Sequence, residues 1–322
     1  MSNELKKSEI LFLYETSYNI PNGDPFTGEQ RYDEETKKIL VSDVRIKRFI
    51  RTYLEDIKKL PIYVSEKTGA GKTDSKGVLT WIANNQKNFL KITETEEKTD
   101  IGEILKSLID VRLFGGISTL KDEETKKIKV CGKECINGHV QFTGPVQFAL
   151  LNSSLNEVLL RMHQNTTHFT SSSENTQGSI GTTTIVPYSV VQIHGWVNPK
   201  VAETTGMTQE DLDLMYEGLW YGTSGDGSSH SRSKVGQDSV LLLEIQYDKS
   251  NDKIYGVDRL VALKPKEGKR EEQLRCMEDY EFDFSKLLEA AKSDKVYKIR
   301  YYTELDVIKN ELRGDKFELM IK

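Results

Sequence analysis

Residues 9 to 14, EILFLY, form a short apolar run bounded by charge and soon stopped, which predicts a buried strand rather than a helix. The stop is a long polar loop from Asn19 to Asp33, where Pro21, Pro25 and the Asn22-Gly23 pair supply turn chemistry. Loops of that length are seldom idle. Beyond it, Ile46, Phe49, Ile50, Tyr53, Leu54 and Ile57 recur at helical spacing and predict a helix with one buried stripe, capped by Ser42 or Asp43. A second helix is expected after Thr208, with Leu212, Met215, Tyr216, Leu219 and Trp220 on its apolar side and Gly222 ending it. The runs IVPYSVVQIHGWV and VLLLEIQY have strand character. Between the two halves of the chain lies a stretch from Met162 to Thr184 rich in Ser, Thr, Asn and Gly, expected to project as a hairpin or finger because it has little to bury. Near the end, Phe284 to Ala291 is amphipathic and suits packing on this chain or on a neighbour.

With 322 residues, 37% hydrophobic and 30% charged, the chain suffices for one large domain with insertions or for two modest ones. No apolar run reaches membrane-spanning length, and the start passes from a charged leader into the first apolar run without a small-residue cleavage site. A cytoplasmic location is expected, and three cysteines are too few and too unevenly placed for a disulfide framework. The net charge of −5 opposes the basic balance usual for nucleic-acid binding. Phosphate responds to local field, however, so clusters of cations matter more than the total.

Two such clusters stand out. Arg45, Lys47, Arg48 and Arg51 fall on the first turns of the first helix, on its flanks and expected solvent side, beside the free N–H groups of its N-terminus. The carboxylates Glu55 and Asp56 come too late to neutralise those turns. The second cluster is the Gly/Ser-rich loop around His230, Arg232 and Lys234, between a helix and a strand.

Other chemistry reads weakly. Glu66 to Thr73, EKTGAGKT, resembles the end of a phosphate-binding loop, but Glu66 stands where the first glycine is required, and no convincing phosphate-capping helix is expected to follow. Cys131, Cys135 and His139 lack standard zinc spacing and a fourth ligand; the cysteines are expected to flank a turn at Gly132-Lys133, with Cys135 partly buried. His163 and His168 have no identifiable nucleophile or orienting partner. No metal and no cofactor are expected.

Several separated motifs, taken together, resemble the Cas-seven family, type I-B branch, of CRISPR Cascade backbone subunits. They are PNGDP at Pro21 to Pro25, Arg31-Tyr32-Asp33, LVSDVRIKRFI at Leu40 to Ile50, DVRLFGG at Asp110 to Gly116, FTGPVQF at Phe142 to Phe148 and SRSKVGQ at Ser231 to Gln237. Ile20 departs from the family's usual Asn before PNGDP. The resemblance implies an α+β fold: a single domain over residues 1–322 with a modified RRM-like (ferredoxin-like) palm. It further implies a fingers-type insertion over about 60–140 and a thumb-like hairpin over about 160–186. It also implies a non-catalytic subunit that polymerises head to tail along the guide RNA for antiviral defence and presents the bases for pairing with target DNA. Implied partners are other copies in a helical filament and further Cascade subunits, a large one and one that holds the repeat handle, with no membrane. Such a protein must accept any spacer and so should grip phosphate and ribose. Carried over by position, the RNA-binding residues are Asn22, Arg31, Ser42, Arg45, Lys47, Arg48 and Arg51, with Ser231, Arg232, Ser233, Lys234 and Gln237; Thr167, His168, Thr182 and Thr183, within the run through Thr184, mark the thumb. The main rival is a metal-dependent RNase resembling type III relatives, with Asp24 or Asp33 as its acid, although a carboxylate in such a loop is more often a turn-former. A generic RRM-type messenger-RNA binder is a second rival, but the aromatic RNP signature is missing.

Overall fold

The computed structural model describes residues 5–65, 74–90, 98–130, 132–166, 180–224 and 234–320. Strand β1 (Ser8–Asn19) leads through the polar loop to β2 (Lys38–Ser42) and helix α1 (Asp43–Asp56). An intervening segment carries α2 (Ser75–Asn85), α3 (Ile101–Lys106), α4 (Ile109–Phe114) and the paired strands β3 (Gly115–Thr119) and β4 (His139–Thr143). Next come β5 (Val146–Phe148), β6 (Leu151–Ser153), β7 (Arg161–Thr166), β8 (Ile180–Val197), α5 (Gln209–Thr223) and β9 (Gln237–Tyr247). The chain closes with β10 (Ala262–Pro265), β11 (Tyr280–Asp283), β12 (Val296–Tyr302), α6 (Asp306–Glu311) and β13 (Phe317–Leu319). Among the described residues no helix is long and apolar enough to cross a membrane.

The main sheet has the order β7-β8-β1-β9-β12-β13, with β5 also pairing β8. Every pairing in it is antiparallel except β12 with β13. The apolar run of β1 explains its central place. Ile10, Phe12 and Tyr14 point to one face, among Phe49 and Ile50 of α1 and Tyr216 and Leu219 of α5. Leu11 and Leu13 point to the other, among Leu243, Ile245, Leu274, Tyr280 and Phe284. A strand covered on both faces needs apolar residues at both parities, which is why EILFLY does not alternate.

Helix α1 buries Ile46, Phe49, Ile50, Tyr53 and Leu54 as its spacing predicts. Ile57 departs from the expected stripe; it is 47% exposed because it sits at the helix C-cap, where the chain turns away. Thr208 caps α5 in a reciprocal capping box with Asp211, but the helix runs through Gly222 to Thr223 rather than ending there. Gly222 is a contact glycine instead. A Cβ at that position would stand 2.7 Å from the Phe49 carbonyl oxygen, so its absence lets α5 lie against α1.

A third apolar cluster, with Tyr63, Leu79, Ile82, Leu105, Val111 and Cys135, fills the segment between α1 and β4. Cys135 is fully buried rather than partly so, and burial pushes its thiol up to about 11, which keeps it protonated near neutrality. A helix, α2, does open after the glycine-rich stretch. Its N-terminus is nonetheless closed to phosphate, because the Asp74 carboxylate accepts from the Gly77 N–H at 2.6 Å. The glycine-rich stretch at 66–73 and Cys131 lie outside the described residues. The amphipathic segment near the end forms a helix, Ser285–Ala291, that packs Leu287 and Ala291 on this chain's own second core.

Two of the quoted motifs hold each other. Gly115, at φ +78°, and Gly144 pass so closely that a Cβ on Gly115 would lie 2.3 Å from the Phe142 oxygen and one on Gly144 2.1 Å from the Phe114 carbonyl carbon. The interlock joins the end of DVRLFGG to the start of FTGPVQF.

Candidate nucleic-acid interface

The separated candidate segments converge on one end of the sheet. β1 ends at Asn19, which pairs with Val186 of β8, and the β7/β8 hairpin starts one step further on, at the pairing of Arg161 with Ile185. On the other flank Thr16 pairs with Gln237, and the Ser17 N–H donates to the Gly236 carbonyl at 2.9 Å. The polar loop leaves from the same end and is tied onto α1: Asn22 Oδ1 accepts from the Ser42 N–H at 2.7 Å. The Asn22 N–H donates to Gln30 Oε1 at 2.9 Å, and Gln30 Nε2 in turn donates to the Leu40 carbonyl at 3.0 Å. Asn22 and Gln30 are both buried, so these bonds fix the loop's course rather than decorate its surface.

Between loop and helix lies an open groove of about 590 Å³, lined by Gly23, Pro25, Arg31, Arg45, Arg48 and the leucines Leu150 and Leu151, among others. Ser42 occupies the N-cap position of α1, yet its side chain makes no capping hydrogen bond. The Asp43 N–H is taken by the Leu150 carbonyl instead, and the N–H groups that follow it in the first turn have no cap from the Ser42 side chain.

Arg45 is held with its guanidinium 4.0 Å from the centre of the Phe49 ring. Its Nε and Nη2 are buried and have no hydrogen-bond partner among the described residues. Burial, with Arg48 nearby, lowers its pKa to about 10, a shift that the Tyr14 phenol opposes. Lys234 reaches across from the other loop and donates to the Ile20 carbonyl. Burial and the Arg45 charge bring its pKa down to about 8. Among the described residues no carboxylate forms an ion pair with either group. Two half-buried cations side by side, with no counter-ion among the described residues, are costly unless an anion comes to them.

The remaining predicted residues divide sharply. Arg48 lines this groove and a second one, of about 430 Å³, toward Tyr63 and Ile117. Arg31 pairs with Asp24 at 3.1 Å at the groove edge. Lys47 and Arg51 do not project to solvent as expected. Lys47 pairs with Asp43 at 2.9 Å, one turn back, and lies 5.8 Å from the Phe114 ring. Arg51 donates through Nε to the fully buried Asp110 at 3.0 Å. Asp43 offsets Lys47 from the first turn of the helix itself, and Asp110 reaches Arg51 from α4, far along the chain. Gln237 is buried, and its Nε2 donates to the Lys234 carbonyl at 2.8 Å, which shapes the loop that carries Lys234. Thr182 and Thr183 pair with Gln164 and His163 in the hairpin arms. Thr167, His168, Ser231, Arg232 and Ser233 lie outside the described residues.

Leu150, 77% exposed, and Leu151 line the groove and were not anticipated. A pair of leucines after FTGPVQF looks like core in a sequence. Its carbonyl role, with Leu150 O accepting from the Asp43 N–H at 3.2 Å, leaves no trace in composition.

The carboxylates of the rival nuclease reading act in turns. Asp24 Oδ1 accepts from the Phe26 N–H at 2.9 Å, and its Oδ2 pairs with Arg31. Asp33 accepts from the Thr36 hydroxyl at 2.6 Å and the Glu35 N–H at 3.1 Å, and the Thr36 bond above all lowers its pKa.

Comparison with known proteins bears on the same residues. The model of the family "CRISPR-associated protein Cas7" matches residues 6–285. A curated protein of that name from Haloferax volcanii is 28% identical over 330 residues, spanning 97% of this chain and 92% of the relative. Among solved structures, a chain of a "CRISPR RNA-guided surveillance complex, pre-nicking" aligns at TM-score 0.49 and 14% identity over 93% of both chains. A chain of a second "CRISPR RNA-guided surveillance complex" aligns at TM-score 0.47 and 14% identity, over 93% of this chain and 90% of that one. The family match spans the polar loop, α1, both interlocked glycine motifs and the Lys234 loop, and on its extent the chain belongs to the CRISPR-associated protein Cas7 family.

Proposed function

We propose that this chain is the non-catalytic guide-RNA-binding backbone subunit of a type I CRISPR surveillance complex, of the type I-B branch, which polymerises along the guide and presents its bases to target DNA. One observation carries the reading: Arg45 lines an open groove at an α-helix N-terminus with Lys234 close beside it, both half-buried and, among the described residues, without a carboxylate partner. Cations and helix N–H groups recognise phosphate without reading sequence, which is what a protein that must hold any guide requires. The groove's apolar wall of Val44, Leu150 and Leu151 suits a ribose or an unstacked base.

The succession β1, α1, β5, β8, α5, β9, with spatial order β5-β8-β1-β9, supports an RRM-like palm. Unlike an RRM that stacks RNA on its open sheet face, this sheet is covered on both sides, with Leu11, Leu13, Leu241 and Leu243 fully buried. That covering favours recognition by the loops at the sheet end over the messenger-RNA-binder reading. The turn bonds of Asp24 and Asp33 favour a structural role for both over a metal-dependent RNase.

The test is to mix the purified chain with repeat-spacer RNAs of unrelated spacer sequence and record assembly size, affinity and RNA integrity with and without Mg²⁺ or Mn²⁺. Large assemblies with similar affinity for each spacer and intact RNA are expected. A monomer that degrades RNA on metal addition, with loss of cleavage in Asp24→Asn or Asp33→Asn, would put the nuclease reading in its place.

A further inference from the structure

The second core covers the sheet face opposite α1 and α5, and at its surface β11 and α6 enclose a groove of about 440 Å³ that the RNA reading does not use. Its floor is apolar, built from Met277, Tyr280, Phe282, Phe284, Val307 and Ile308. Val307 is 67% exposed beside the buried Ile308 and offers its side chain to an occupant of the groove. The rim is acidic: Glu278, Glu281 and Glu311 are all exposed, against a single cation, Lys266. Neighbouring lysines do not offset them, because Lys264 is paired with Asp283 and Lys269 with Asp279. One wall, α6, lies past residue 285, where the family match ends.

An apolar trough walled by carboxylates repels nucleic acid and complements a segment with apolar side chains on one face and Lys or Arg beside them. We propose that this groove docks a basic amphipathic helix of a partner protein. The site lies on the opposite face of the sheet from α1, so the chain can hold its partner and the guide RNA together. Apolar contact with Val307, Phe282 and Met277 supplies the seat, and the three glutamates select the charge of the occupant.

Cys276 gives a direct readout, since it is exposed and adjoins Met277, whereas Cys135 is buried. An environment-sensitive fluorophore is attached to Cys276 in a Cys131→Ser background and titrated with a helical Leu/Lys peptide whose leucines repeat at i, i+3, i+4 and i+7. The Leu/Glu counterpart serves as the opposite-charge probe. The Leu/Lys peptide is expected to shift the emission saturably and the Leu/Glu peptide to leave it unchanged. Reversal of the rim, Glu278→Lys with Glu281→Lys and Glu311→Lys, is expected to weaken binding about tenfold, the sum of three exposed ion pairs. Val307→Asn is expected to weaken it with the rim intact. The control reversal at the exposed acids Glu103, Asp122 and Glu123 is expected to have no effect, and guide-RNA binding is expected to be the same in all variants. Equal loss in the control reversal, equal binding of the two peptides, or an emission change that follows protein concentration without peptide, the sign of a second copy in the groove, would each overturn the proposal.

Discussion

Arg45 and Arg51 belong to the same helix and to the same cluster of cations in the sequence, yet they have opposite surroundings. Arg51 meets Asp110, whose two oxygens also accept from the Tyr63 and Val64 N–H groups at 2.9 and 3.2 Å. Arg112, two residues along α4, makes a paired contact with Asp211 of α5 at 2.6 and 2.8 Å. These charges are satisfied within the chain and hold α4 against both helices. Arg45 packs on Phe49 beside Lys234, with two nitrogens unmatched among the described residues. A cation with a buried acid organises the protein, and a cation without one leaves its desolvation cost to be offset by a ligand.

The largest effect should come from breaking the satisfied side of this contrast. Arg51→Ala leaves Asp110 buried and without its cation, and loss of one partner from a buried pair costs about 3–5 kcal/mol. Chemical denaturation should show that loss, while the protein that remains folded should bind guide RNA almost as well as the parent. A large fall in RNA affinity with little change in stability would return Arg51 to the interface.

The unsatisfied side should behave in reverse. Arg45→Glu with Lys234→Glu replaces two cations at the groove with acids, and charge-assisted bonds to phosphate are worth about 1.5–3 kcal/mol each. Guide-RNA affinity measured by filter binding should fall at least ~100-fold. The folded state should lose less than in Arg51→Ala, because among the described residues neither side chain has an ion pair to break, only the Phe49 stacking and the Ile20 carbonyl bond. RNA binding that survives in a folded double variant would remove both residues from the site.

How much of this could be read from the sequence follows from which interactions are local. The α1 stripe, the Thr208 cap and the turns at Asp24 and Asp33 rest on neighbours in the chain, and each was legible. The loop and cation clusters were also visible as segments, although their meeting at one end of the sheet was not, since β1, β8 and β9 bring it about through long-range pairing. What failed was the state of each cation. Arg51 looks like Arg45 until the tertiary fold delivers Asp110 and Phe114 to it, whereas Asp43, the partner of Lys47, stands four residues back in the same helix. Gly222 misled for the same reason: a glycine near a helix end suggests a cap, and only the approach of Phe49 shows that it is there for packing.

The smallest expected effect is also the most specific to the unsatisfied pair. Lys234 in the free protein has its pKa reduced to about 8 by burial and by Arg45, so it sheds its proton in a pH range where ordinary lysines keep theirs. The sign follows directly. Bound phosphate favours the charged form and raises that pKa, so binding above pH 8 must take up a proton, and affinity must fall as pH rises. Between pH 7 and pH 9 the protonated fraction drops about tenfold, and guide-RNA affinity should drop by about the same factor. For the free protein the sign is opposite: a lysine with a depressed pKa weighs against folding while charged, so its neutralisation above pH 8 favours the fold. Lys234→Arg keeps the charge across this window and should give a flat binding profile, whereas Lys264→Arg, on a lysine paired with Asp283 outside the groove, should leave the slope as it was. An unchanged slope in Lys234→Arg would mean that some other group senses the pH and that the Arg45–Lys234 pair is not where the phosphate sits.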